Sequence, residues 1–165
     1  MIRPARPSDY ERLPDIERRA GELFRHAGMP EIADHDPSDA DELASAVALF
    51  VATSPDDEPI GYAMVELVDG HAHLGQISVL PEHGGQGIGT QLLDAVAAWA
   101  QGQGHTEITL TTFRDIPFNA PLYGKRGYEV VPATAWTDAL RQLMAREAEM
   151  GLDPADRVVM RRRLG

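Results

Sequence analysis

Apolar residues recur along this chain at two spacings, one helical and one strand-like, and the switches between them mark out its elements. Leu13, Ile16, Ala20, Leu23 and Phe24 fall at helical spacing behind Ser8-Asp9, which predicts an N-cap and a first helix, split or bent where Pro14 enters its first turns. Ahead of it, Ile2-Arg3-Pro4 reads as a short edge strand, because proline has no donor for a ladder. Gly28-Met29-Pro30 breaks the helical pattern, so residues 30–38 read as a loop, followed by a short helix from 38 to about 45. The run 47–52 is a buried-type strand and 54–59 a turn.

Residues 60–68 and 71–80 form the clearest hairpin, joined by Asp69-Gly70, a pair suited to the two left-handed positions of a type I′ turn. A cluster of glycines follows, and then a helix with Ile88, Leu92, Leu93, Val96 and Trp99 or Ala100 as its stripe, stopped by Gly102 or Gly104. Strands are predicted over 107–112, 128–131 and 156–164, a short helix within 117–126, and an amphipathic helix over 137–150 carrying Leu140, Leu143, Met144 and Glu147. The order β-α-α-β-β-β-α-β-α-β-α-β predicts a mixed α/β protein with a largely antiparallel first half.

The 165 residues suit one domain with one sizeable core. No apolar run is long enough to span a bilayer, and the start of the chain lacks an apolar signal core, so a cytoplasmic protein without membrane partners is expected. With no cysteine there is no disulfide, no thiolate metal site and no cysteine acyl carrier. His71-x-His73 offers two metal ligands at best with no third nearby, so no metal is expected. The net charge of −11 argues against nucleic acid, suits solubility, and would favour a cationic partner such as an amine. Arg161-Arg162-Arg163 reads as a solvated face, and Trp99 and Trp136 as core or groove wall.

The glycines carry the candidate chemistry. Gly84, Gly85, Gly87 and Gly89 stand between a strand and a helix. Glycines let a backbone approach a phosphate closely, and a helix N-terminus adds free N–H groups and a positive dipole end. Two nucleotide motifs fail here. A Walker A loop requires Lys and then Ser/Thr, but Thr90-Gln91 follow Gly89; a dinucleotide fingerprint begun at Gly85 or at Gly87 ends on Thr90 or Leu92 in place of glycine.

Residues 79–93, including His83-Gly84-Gly85-Gln86-Gly87-Ile88-Gly89-Thr90, resemble the acyl-CoA motif Q/R-x-x-G-x-G/A of the GNAT superfamily of N-acetyltransferases. Gly87 and Gly89 match its glycines, while Gly84 occupies the Gln/Arg position, leaving backbone approach, Gln86 or His83 to replace that side chain. Downstream, Tyr123-Gly124-Lys125-Arg126-Gly127-Tyr128 resembles the family's Y-x-K-x-G-F/Y segment, whereas Asn119 stands only four residues before Tyr123 and departs from the usual spacing.

The resemblance implies a single GNAT domain over 1–165, with a mostly antiparallel central sheet and helices on both faces. It implies acetyl-CoA as co-substrate, held by Ile77, Val79, Leu80, Gly84, Gly85, Gln86, Gly87, Ile88, Gly89, Thr90, Asn119 and Lys125. It further implies direct attack of an amine on the thioester, Tyr123 as the acid at the leaving sulfur, and a backbone N–H at Val79 or a neighbour for the oxyanion. His73 is the candidate base, sharing a strand face with His71 and Ile77, against the alternative of ordinary hairpin histidines on a solvated face; Glu66 is a second candidate. The acceptor would be shaped by residues 23–45, 113–118 and Trp136, where Glu31, Asp34, Asp36 and Asp115 could steer a cation. A longer acyl-CoA, or a non-catalytic acyl-CoA-binding module, are the competing readings, and the last strand and the 137–150 helix are candidate dimer surfaces.

Overall fold

The computed structural model describes residues 1–165. The elements run β1 (Ile2–Pro4), α1 (Leu13–His26), α2 (Pro30–Ala33), α3 (Ala40–Ser45), β2 (Ala48–Thr53), β3 (Pro59–Val68), β4 (His71–Val79), α4 (Ile88–Gly102), β5 (Glu107–Phe113), α5 (Ala120–Gly124), β6 (Glu129–Val131), α6 (Asp138–Glu149) and β7 (Arg157–Arg163). The seven strands form one mixed, mostly antiparallel sheet in the order β1-β2-β3-β4-β5-β7-β6. β4 and β5 run parallel, whereas β1-β2, β2-β3, β5-β7 and β6-β7 are antiparallel. By packing the chain forms two compact units, Met1–Glu66 with Leu74–Ala98, and Leu67–His73 with Trp99–Gly165.

In the first unit α1 buries Leu13 and Ile16 against Leu43, Leu49, Val51, Tyr62 and Met64. Each such side chain contributes about 1.5–3 kcal/mol when fully withdrawn from water. The start of α1 differs from the expected cap. A 3-10 turn over Pro7–Arg12 precedes it, and Asp9 lies inside that turn, accepting from the Arg6 amide at 2.7 Å and from Arg3 at 2.7 Å. Pro14 sits in the first turn of α1, where no intrahelical N–H is needed, so it starts the helix without breaking it. Pro30 does the same for α2, a four-residue helix inside the predicted loop. The α3 helix opens on a capping box, with Asp39 accepting from the Glu42 amide at 2.8 Å.

Asp69 and Gly70 both have positive φ, 57° and 74°, as the hairpin reading requires. In the second unit α6 lays Leu140 and Met144 on Val131 and Val159, with Val68 and Trp136 at the margin. Thr137 caps α6 by accepting from the Leu140 amide at 3.2 Å.

Candidate active site

Within the first unit the strand β4 runs out at Val79, a 3-10 turn spans Pro81–His83, and the glycines lead into α4. Gly85 and Gly87 adopt φ of 77° and 78°, which side-chain-bearing residues rarely hold. A Cβ at Gly85, Gly87 or Gly89 would meet nothing within 4 Å, so open space faces the loop. The carbonyl of Gly87 accepts from Gln91 at 3.0 Å, the first bond of the helix ladder. The amides of Ile88, Gly89 and Thr90 therefore precede that ladder and have no intrahelical acceptor. This loop fits a pyrophosphate: close backbone approach, free donors and the positive end of a fifteen-residue helix.

Gly84 is placed differently from the rest. Its φ is −65°, and a Cβ there would stand 3.2 Å from the Pro81 carbonyl, a crowded contact set by the 3-10 turn. A side chain at 84 would need the Pro81 carbonyl to give by a few tenths of an ångström. Gln86 and His83 instead border a cavity of about 290 Å³ with Thr53, Ser54, Ile88 and Gln91. At the end of β4 the amide of Leu80 is committed to the carbonyl of Ile60 at 2.9 Å. Successive amides of a strand point to opposite edges, so the Val79 amide points away from β3. Ile77 and Val79 are half-buried.

Two features of this unit were not anticipated. Tyr62, fully buried, donates its phenol to Glu17 of α1, and Glu17 also accepts from the Ser38 amide at 3.1 Å. Burial and the Glu17 charge raise the Tyr62 pKa. Second, the carboxylate of Glu66 occupies the space in which a Cβ on Gly75 would stand, so glycine at 75 is what admits it.

In the second unit Tyr123 lies on α5, its amide bonded to the Asn119 carbonyl at 3.0 Å. Asn119 in turn accepts from the Phe113 amide through Oδ1 at 3.4 Å, and Lys125, at the end of α5, is exposed. Tyr123 is only 9% exposed and meets Tyr128 edge-on at 5.9 Å. Burial pushes its pKa up to about 12, with Arg157 pulling the other way, so the phenol stays protonated at neutral pH.

His73 is buried, not on a solvated face; only His71, nearer the turn, is exposed. The His73 Nδ1 lies 2.7 Å from Thr109 Oγ1, and burial lowers its pKa to about 4. An imidazole of that strength is uncharged at neutral pH and carries a single ring N–H.

Of the acidic residues expected to steer an acceptor, Asp34 pairs with Arg25 and Asp115 with Arg114, while Glu31 and Asp36 are exposed. Trp136 donates Nε1 to the Val131 carbonyl at 2.9 Å, and Trp99 stands against His105. No three His, Cys, Asp or Glu side chains gather in a metal-binding arrangement, and no helix is long and apolar enough to cross a membrane.

A family profile described as the acetyltransferase (GNAT) family matches residues 10–128. The chain belongs to the GNAT family of acetyltransferases. A 67-residue stretch is 33% identical to the uncharacterized N-acetyltransferase YobR of Bacillus subtilis, covering 41% of this chain and 27% of that protein. Among solved structures, an acetyltransferase of the GNAT family from Staphylococcus aureus superposes with a TM-score of 0.72 at 15% identity, over 100% of this chain and 99% of that one. The PaiA N-acetyltransferase of Thermoplasma acidophilum, solved in complex with coenzyme A, gives 0.69 at 18% identity over 99% and 98%. At these identities the likeness is one of fold, and it is the GNAT fold along the whole chain.

Proposed function

We propose that residues 1–165 act as one N-acetyltransferase domain that moves the acetyl group of acetyl-CoA to a primary amine. The glycine loop carries this reading: its open space and unladdered amides suit a pyrophosphate, and the GNAT relative from Thermoplasma acidophilum was solved with coenzyme A. Acetyl-CoA supplies a thioester carbonyl that an amine can attack. The amides of Gly85 to Thr90 would hold its phosphates, with Asn119 and Lys125 as further contacts. The Val79 amide, aimed away from β3, would face the developing oxyanion, and Tyr123 would hold a proton for the departing sulfur. The charge of −11 favours a cationic acceptor.

Gly87→Val tests the loop. Its positive φ strains any β-branched residue. The variant is expected to bind acetyl-CoA at least about tenfold more weakly, a loss of roughly 1.4 kcal/mol, by isothermal titration calorimetry. Unchanged affinity would remove the loop from the binding site.

A further inference from the structure

Glu17 is a half-buried carboxylate with no cation beside it. The arginines of its own helix are committed elsewhere: Arg18 to Asp15, Arg19 to Glu82, and Arg25 to Glu22 and Asp34. Its partners are neutral donors, the Tyr62 phenol and the Ser38 amide, the latter at 3.1 and 3.2 Å from the two oxygens. The charge of Glu42 bears on the same phenol, so the surroundings add negative charge. Charges withdrawn from water are ordinarily paired, and a carboxylate offers about four lone-pair sites, which two donors do not fill. The carboxylate also stands near the Val79 amide. Tyr62 packs with Leu13 and Ile16, so it projects from β3 toward α1. The Leu80 amide bonds to the Ile60 carbonyl at 2.9 Å, a register that sets Tyr62 opposite Ser78, the residue before Val79. Strand spacing and the length of a tyrosine side chain then put the Glu17 carboxylate on the order of 10 Å from the Val79 amide. Directly opposite side chains share a face, and so do residues two apart on one strand. The same face of β4 therefore carries Ser78, buried, and Gln76, half-buried, whose Nε2 donates to Ser78 Oγ at 2.9 Å. The Gln76 amide oxygen accepts no bond from the protein.

We propose that Glu17 holds a second, non-reacting ammonium of the acceptor, so that the acceptor class is a diamine or longer polyamine. The inference rests on the acetyltransferase reading and names the substrate class of that site. The attacking nitrogen must be unprotonated, so the cation that Glu17 receives is a different nitrogen of the same molecule. An ammonium has three donors and no acceptor, the complement of a carboxylate and an amide oxygen. The separation from the Val79 amide suits two amines joined by a short aliphatic chain. The Tyr62 phenol and the Ser38 amide fix the carboxylate before the acceptor arrives, so little ordering is left to offset the ion pair.

The test compares putrescine and cadaverine with butylamine and pentylamine, which keep the chain and one amine and lose the other. With the full-length protein and acetyl-CoA, thiol release should favour each diamine over its monoamine by about tenfold or more in kcat/KM. Glu17→Gln keeps the outline of the side chain and removes its charge, and should bring that ratio to within about twofold of one. A wild-type ratio near one, or a ratio that Glu17→Gln leaves unchanged, would overturn the assignment. The wild-type ratio needs no variant, so the claim does not depend on how Glu17→Gln folds. Calorimetry of putrescine against the CoA-loaded protein needs no turnover: the wild type should bind at least about tenfold more tightly than Glu17→Gln, and equal affinity would also overturn the assignment. Glu17-dependent putrescine binding with no amine acetylated would contradict the acetyltransferase reading itself and leave the cation site standing.

Discussion

Tyr123→Phe is expected to lower turnover by about 100-fold while leaving KM for acetyl-CoA within a factor of about two, the pattern of a group that acts only in the transition state. The ring is buried and packs edge-on against Tyr128, and phenylalanine keeps that contact, so the fold should survive. What is lost is one O–H. Because burial holds the phenol protonated up to about pH 12, Tyr123 contributes no basic limb to the rate profile across the neutral and mildly alkaline range. Steady-state kinetics on both proteins checks this, and unchanged turnover would remove Tyr123 from the chemistry.

The second large effect is on stability. Glu147→Ala should cost about 3–5 kcal/mol, because it strands a buried cation. Arg157 has a side chain only 8% exposed, lies 4.7 Å over the Phe113 ring, and donates to Glu147 and to Thr111, each at 2.9 Å. Its Nε is already buried without a partner. Removing Glu147 leaves the guanidinium with a neutral hydroxyl as its one side-chain acceptor. Replacing both residues together, Glu147→Leu with Arg157→Met, should recover most of the loss, since an apolar pair carries no desolvation penalty. Urea unfolding of the three proteins separates the cases; a loss below about 1 kcal/mol in Glu147→Ala would show that the pair is not effectively buried.

Where function rests on local backbone chemistry, it could be read from the chain. The Asp69-Gly70 turn, the strand–glycine–helix junction and α4 are set by neighbours within a few residues, and the structure reproduces each. The family assignment followed from the same stretch together with the segment ending in Gly127-Tyr128. Elements opened by proline were harder: Pro14 and Pro30 read as interruptions, yet at a first helical turn the missing N–H costs nothing. Asp9 stands not at the N-cap but at the third position of the 3-10 turn, from which its carboxylate reaches back to the Arg6 amide and to Arg3.

Long-range pairings left no local mark. His73 is buried, and its partner Thr109 on the neighbouring strand lies 36 residues away. Tyr62 meets Glu17 across 45 residues, and nothing in either neighbourhood announces the other. Glycine at 75 was the one available hint, a small residue inside a strand where a bulky neighbour, here the Glu66 carboxylate, needs room.

The most direct test of the central claim is to incubate the full-length protein with acetyl-CoA and a panel of primary amines and to follow products by mass spectrometry. A gain of one acetyl group on at least one amine, with release of one equivalent of free CoA thiol and loss of both in Tyr123→Phe, is the predicted result. Tight acetyl-CoA binding with no acetylated amine and no thiol release would contradict it, and would make the glycine loop the cradle of a binding module.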